Sequence, residues 1–252
     1  MKPAERALAR LTARRSELVL GALSVAGIVA SAVMSLAVVP ADASQGDVQR
    51  LMYVHVPAAW LAYLSFFVVF VCSILYLKTK RIRYDRVAHA SAEIGVLFTA
   101  LTVALGSLWG KPVWGTYWTW DPRLTTTAIM LLMYVGYLAV RRLPDNPTRR
   151  ARWAAVVGIV AFADVPIVQL SVEWWRSLHQ GPTIRLLGES TIAPIMLTTL
   201  LVAVAAFTLL YAYLMAVRLR VGRLEDRAAA EALSPRLGRP AEDLAGEEVP
   251  VA

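Results

Sequence analysis

The sequence predicts an all-α, polytopic membrane protein with six transmembrane helices and both termini cytoplasmic. Three observations lead there. The 252 residues are 58% hydrophobic with a mean hydropathy of +0.54, well above the range of soluble domains. The apolar residues fall into six runs of a length suited to ~30 Å of hydrocarbon. The lysines and arginines collect at alternate connections between those runs, which sets an orientation.

Residues 1–17 are polar and basic, and Leu18–Val39 follows as a charge-free run of about 22 residues. Ala30-Ser31-Ala32 imitates a signal-peptidase site, but the run is too long for a signal core and five further spans follow, so a retained helix is expected. An outer segment carries Asp42, Asp47 and Arg50. Pro57 then suits the first position of the second helix, where its fixed φ and missing N–H do no harm, and that span reaches Leu77. The third runs from Val87 to Leu108, the fourth from Leu124 to Val140, the fifth from Trp153 to Val172 and the sixth from Thr191 to Val217. Residues 1–217 thus form one membrane domain. Residues 218–252 read as a charged cytoplasmic tail rich in Ala, Glu and Arg, with no apolar period and an expectation of disorder.

Orientation follows from the cations. Five lysines and arginines precede the first span, five lie in the second connection, five in the fourth and six in the tail, 21 of the 26 in all. Only Arg50, Lys111, Arg123, Arg176 and Arg185 fall on the other side. The net charge of +8 is therefore a topology signal with some attraction for anionic lipid, and no nucleic-acid face is expected. Cys72 is the single cysteine, so neither an intrachain disulfide nor a C-x-x-C-H haem attachment site is available.

The chain is organised around Trp109–Thr125, W-G-K-P-V-W-G-T-Y-W-T-W-D-P-R-L-T, which holds Trp109, Trp114, Trp118 and Trp120, half of the eight tryptophans. Pro112, Pro122 and the charges of Lys111, Asp121 and Arg123 make it a poor spanning helix. Flat aromatic faces on a glycine-punctuated backbone suit a flat apolar ligand; the alternative is an interfacial aromatic belt. Belts populate both interfaces, whereas seven tryptophans fall at the outer side and only Trp153 at the inner. That imbalance points to an outer site.

Of the three histidines, His55 and His179 share the tryptophan side, and His89 lies across the bilayer one turn from Glu93, its expected partner. Imidazole is a standard axial ligand of haem iron. His55 and His179 could supply the ligands, the tryptophans the walls, and Lys111, Arg123 or Arg185 the cations for two propionates. The bland reading, a pair of interfacial loop histidines, is weakened by their flanking the tryptophan platform. Glu93 and Asp164 inside the membrane are read as a structural pair member and a bend near Pro166, because two isolated acids make a poor proton relay.

The run W-G-T-Y-W-T-W-D-P-R-L at 114–124 resembles the tryptophan-rich WWD signature of the haem-handling proteins of cytochrome c maturation. V-H-V-P at 54–57 and V-P-I-V-Q-L-S-V-E-W-W-R-S-L-H-Q-G-P-T at 165–183 are similar to its haem exporter protein C (CcmC) branch, over about residues 18–217. The resemblance implies a bacterial inner-membrane protein that holds haem b, non-covalently and as cargo, at its periplasmic face. It implies delivery to a membrane-anchored haem chaperone, alongside ABC transporter subunits and a small membrane subunit. It also implies His55 and His179 as axial ligands, with Trp114, Trp118, Trp120 and Asp121 as the platform. No nucleophile or general-base pair stands out in the outer loops, so delivery is expected rather than catalysis. A haem lyase-like enzyme, which would need an active-site role for Asp121, and a haem permease, which would need a polar path at mid-membrane, are the rival readings.

Overall fold

The computed structural model describes residues 3–143, 146–179, 181 and 192–237, with side chains described within these from residue 14 to 232 except at 229. Among them there is no strand, and six helical segments are long and apolar enough to cross a membrane. Helix α1 (Pro3–Val33) closes in a π-helical turn, Met34–Val38. A 3₁₀ turn (Asp47–Leu51) leads into α2 (Met52–Thr79), and α3 (Ile82–Trp114) and α4 (Pro122–Val140) follow. One span is divided at Ala163 into α5 (Pro147–Phe162) and α6 (Asp164–Trp174), and α7 (Pro194–Leu237) is the last.

Helix α2 packs along α3 over most of its length, α1 lies against α7, and α4 bridges α3 and α6. In lipid such contacts rely on close approach and interhelical hydrogen bonds rather than on excluding water. Buried alanines of α2 and α3 accordingly meet in two clusters, Ala62, Ala88 and Ala92 in one and Ala58 and Ala90 in the other. Gly95 sits where an added Cβ would come within 2.4 Å of the Phe66 ring, which stacks in turn on Tyr134. Ser91 Oγ donates to the Ser65 carbonyl (2.8 Å) and pairs with the Tyr211 hydroxyl (2.8 Å), tying α2, α3 and α7 together. Leucines and valines such as Leu18, Val25, Leu101 and Leu132 face outward, as lipid contact requires.

Ion pairs clamp the end of the bundle away from the tryptophans. Arg141 makes two hydrogen bonds to Asp85, 2.6 and 2.7 Å, with both side chains 8% exposed. Arg218 bonds Glu93, Arg220 pairs with Glu17 at 3.1 Å and Arg86 with Asp226 at 2.8 Å. His89 lies 3.6 Å from Glu93.

Several boundaries differ from the sequence reading, each for a local reason. Helix α2 begins at Met52, so Pro57 lies inside it and His55 belongs to its first turn. The missing Pro57 N–H is tolerated one turn from the helix start, where few ladder bonds are at stake. Helix α3 runs through Pro112 to Trp114, so the first third of the tryptophan stretch is helical and only 115–121 is a connection. Pro122 starts α4 instead of interrupting a helix, because Asp121 is its N-cap. The break at Ala163 lies beside Pro166, which cannot donate to the Phe162 carbonyl one turn back. The segment expected to be disordered continues α7 to Leu237, with Ala, Leu, Arg and Glu all strong helix formers. Residues 238–252 lie outside the described residues.

Candidate functional site

The site is assembled from two connections at the tryptophan end, and Asp121 joins them. Helix α3 ends at Gly115, whose φ of +79° is the left-handed conformation that favours glycine; its N–H bonds the Lys111 carbonyl at 3.0 Å. Asp121 then caps α4, Oδ1 accepting the Arg123 N–H at 2.9 Å. The same carboxylate reaches the segment after α6: Oδ2 accepts the Leu178 N–H at 2.7 Å and Oδ1 the Ser177 hydroxyl at 3.1 Å. Asp121 is only 7% exposed. Burial pushes its carboxyl up, but the bonds from Leu178, Ser177 and Arg123 outweigh that and leave it below its ordinary value. It is therefore a fixed negative charge inside the loop cluster.

That charge faces an imidazole. His179 Nδ1 lies 3.7 Å from Asp121 Oδ1, too far for a hydrogen bond but close enough for electrostatic attraction. The His179 backbone N–H donates to Ser177 Oγ at 3.1 Å, and the ring meets Trp114 edge-on with centroids 4.8 Å apart. Burial lowers the His179 ring from 6.5 to about 4, Arg123 adds to the shift, and Asp121 opposes it. The ring is thus neutral at physiological pH, the form that ligates a metal.

His55 occupies a different setting. It projects from the first turn of α2 toward α3, where its ring meets Trp109 edge-on at 5.6 Å. Trp109 is itself pinned, its Nε1–H donating to Gln45 Oε1 at 2.8 Å. Gln45 is presented by a closed turn in which Asp42 Oδ1 accepts from the N–H groups of Ser44 and Gln45, both at 2.9 Å. One turn before Trp109, Gly106 lies under the His55 ring, and a Cβ there would stand 3.1 Å from His55 Cε1. His55 Nδ1 and His179 Nδ1 are both buried without a hydrogen-bond partner.

The remaining sequence candidates are placed unequally. Arg123 lies within electrostatic reach of both imidazoles and holds Gln169 Oε1 at 3.5 Å. Lys111 turns away, donating to the Gly115 carbonyl at 3.0 Å and lying over the Tyr117 ring. Arg185 lies outside the described residues. Trp118 and Trp120 meet edge-on at 5.6 Å, and Trp120, 80% exposed, presents its face outward. Asp121 accepts backbone and hydroxyl donors, and among the described residues no indole N–H. Asp164 heads α6 with Oδ2 buried and unpartnered. Sequence reasoning overlooked Gln45, Gly106 and Ser177; Ser177, two residues before His179, was the most accessible of these, since a short hydroxyl there readily closes a local turn.

Comparison with known proteins agrees over nearly the whole chain. The family described as "Heme exporter protein C" matches residues 3–234. "Heme exporter protein C" of Bradyrhizobium diazoefficiens is 43% identical over 175 residues, 69% of this chain and 66% of that protein. Its counterpart in Haemophilus influenzae is 39% identical over 200 residues, 78% of this chain and 80% of the other. A "putative cytochrome c biosynthesis ccmC-like mitochondrial protein" of Marchantia polymorpha is 38% identical over 157 residues, 62% of this chain and 66% of that one. The chain thus spans about two-thirds of the length of the Bradyrhizobium and Marchantia proteins. With a match running from the first helix into the last, this chain belongs to the haem exporter protein C (CcmC) family.

Proposed function

We propose that this protein holds haem b non-covalently at the periplasmic face of the inner membrane, between His55 and His179. From there it passes the haem to a membrane-anchored haem chaperone during cytochrome c maturation, alongside ABC transporter subunits and a small membrane subunit. The observation that carries the reading is the pair of mutually close imidazoles at the tryptophan end, each with a buried, unpartnered Nδ1 and an indole against its ring. Among the described residues no three His, Cys, Asp or Glu side chains converge, so a bare metal ion would find two imidazoles and little else. Two are what a porphyrin iron, already held by four nitrogens, requires.

Of the two described candidates, Arg123 is the cation better placed to pair with a propionate, since it lies within electrostatic reach of both imidazoles whereas Lys111 is engaged with its own turn. Trp114 and Trp109 would wall the ring beside each ligand, and the exposed Trp118–Trp120 corner supplies a rim that a partner can approach. The names of the relatives support haem as the cargo. The orientation rests on the lysine and arginine distribution. The test is co-expression with a membrane-anchored haem chaperone. Haem recovered on the chaperone should depend on this protein and fall to background with His55→Ala or His179→Ala. Equal loading without this protein would contradict the reading.

A further inference from the structure

The two imidazoles differ in what stands behind them. His179 Nδ1 faces the Asp121 carboxylate at 3.7 Å, and that carboxylate is held in place by three donors. His55 faces Gly106 instead, with its Nδ1 3.7 Å from where a Cβ would stand. Among the described residues the polar acceptor beside this ring is the neutral Thr102 carbonyl, one turn back on α3, and no carboxylate stands there; Nδ1 itself completes no hydrogen bond. A carboxylate close behind an imidazole raises the basicity of the opposite nitrogen and strengthens its bond to a metal. Here it does so through its field across 3.7 Å and without a completed hydrogen bond; a neutral carbonyl does so less and a methylene not at all. Asp121 Oδ1 also serves Arg123 and Ser177, so the effect on His179 is partial.

We propose that His179 and His55 are unequal ligands. His179, backed by Asp121, is the anchoring one, and His55, seated against Gly106 and Trp109, is the exchangeable one, given up when haem is handed to its acceptor. This rests on the two-histidine reading above. It assigns Asp121 and Gly106 as positioning residues, one for each ligand, and it sets an order for release. The α3–α2 side opens first, while the segment after α6 keeps its hold.

The experiment uses the full-length, detergent-purified, haem-loaded protein. Haem loss to an excess of a haem-scavenging apoglobin should be on the order of tenfold faster in His179→Gly than in His55→Gly, the low end of what a ligand's supporting partner contributes. In the ferrous state the iron–imidazole stretch should lie higher in His55→Gly, which keeps His179, and should drop when Asp121→Asn is added. Should the single variants fail to accumulate, the carbon monoxide adduct of the wild type serves. Carbon monoxide displaces the weaker ligand, so Asp121→Asn should shift the iron–carbon stretch upward. Equal loss rates, a reversed order, or vibrations unmoved by Asp121→Asn would overturn the inequality. A wild-type spectrum without two-imidazole, low-spin character would instead overturn the two-histidine site itself, and that is visible before any variant is made.

Discussion

Gly106 and Asp121 set the environment of the site from opposite sides. A methyl group at Gly106 would meet His55 Cε1 at 3.1 Å, tighter than ordinary contact, and crowding of this kind in a packed interior costs about 1–3 kcal/mol. Gly106→Ala should therefore displace His55 and lower the low-spin fraction of bound haem while leaving the helical far-ultraviolet signal intact; an unchanged Soret band would show that the ring has room. His179 links the site to acidity. Its ordinary value is 6.5 and burial takes it to about 4, so the neutral ring stabilises the closed loop above 6.5, and that contribution is lost as pH falls through about 4. In haem-free protein, protection factors at 175–179, each referred to the intrinsic exchange rate at its own pH, should fall between pH 6.5 and 4, and flat protection across that window would contradict the assignment.

At the scale of elements, the Asp85–Arg141 pair shows what holds the distant end. Both side chains are 8% exposed and the contact is bidentate. Removing one partner of such a pair leaves an uncompensated charge and costs about 3–5 kcal/mol. Arg141→Met should lower the midpoint of thermal unfolding in detergent, yet leave the haem spectrum of surviving protein unaltered, since α3 and α4 meet the site at their other ends. A spectral change without loss of stability would contradict this division. The spans themselves were legible because each is a long apolar run with at most one acidic residue, and their ends were not, because proline is ambiguous. Pro57 reads equally as a first residue or an interior one, and Pro112 as a breaker or part of a final turn; only the backbone decides. Asp121-Pro122 matches an N-cap followed by N1, a signal masked by the cost that a carboxylate carries near lipid. His55, His179 and the tryptophans stood out as rare residue types on one side of the membrane. Gln45 and Gly106 did not, since glutamine and glycine become informative only beside Trp109 and His55.

Across the whole molecule the two ends divide the work. Ion pairs between α1 and α7, α3 and α4, and α3 and α7 secure the end that the charge distribution assigns to the cytoplasm. The opposite end carries two connections stitched by one carboxylate. A cysteine introduced at position 117, exposed in the turn after α3, should react with an impermeant maleimide from the periplasmic side; labelling from the cytoplasmic side alone would invert the topology. The most direct test of the central claim, that His55 and His179 together hold one haem, is the absorption spectrum of His55→Ala, His179→Ala and His89→Ala purified side by side. Loss of the low-spin spectrum in both tryptophan-side variants, with His89→Ala indistinguishable from wild type, is the result expected. An unchanged low-spin spectrum in either of the first two, or a lost one in His89→Ala, would contradict the site.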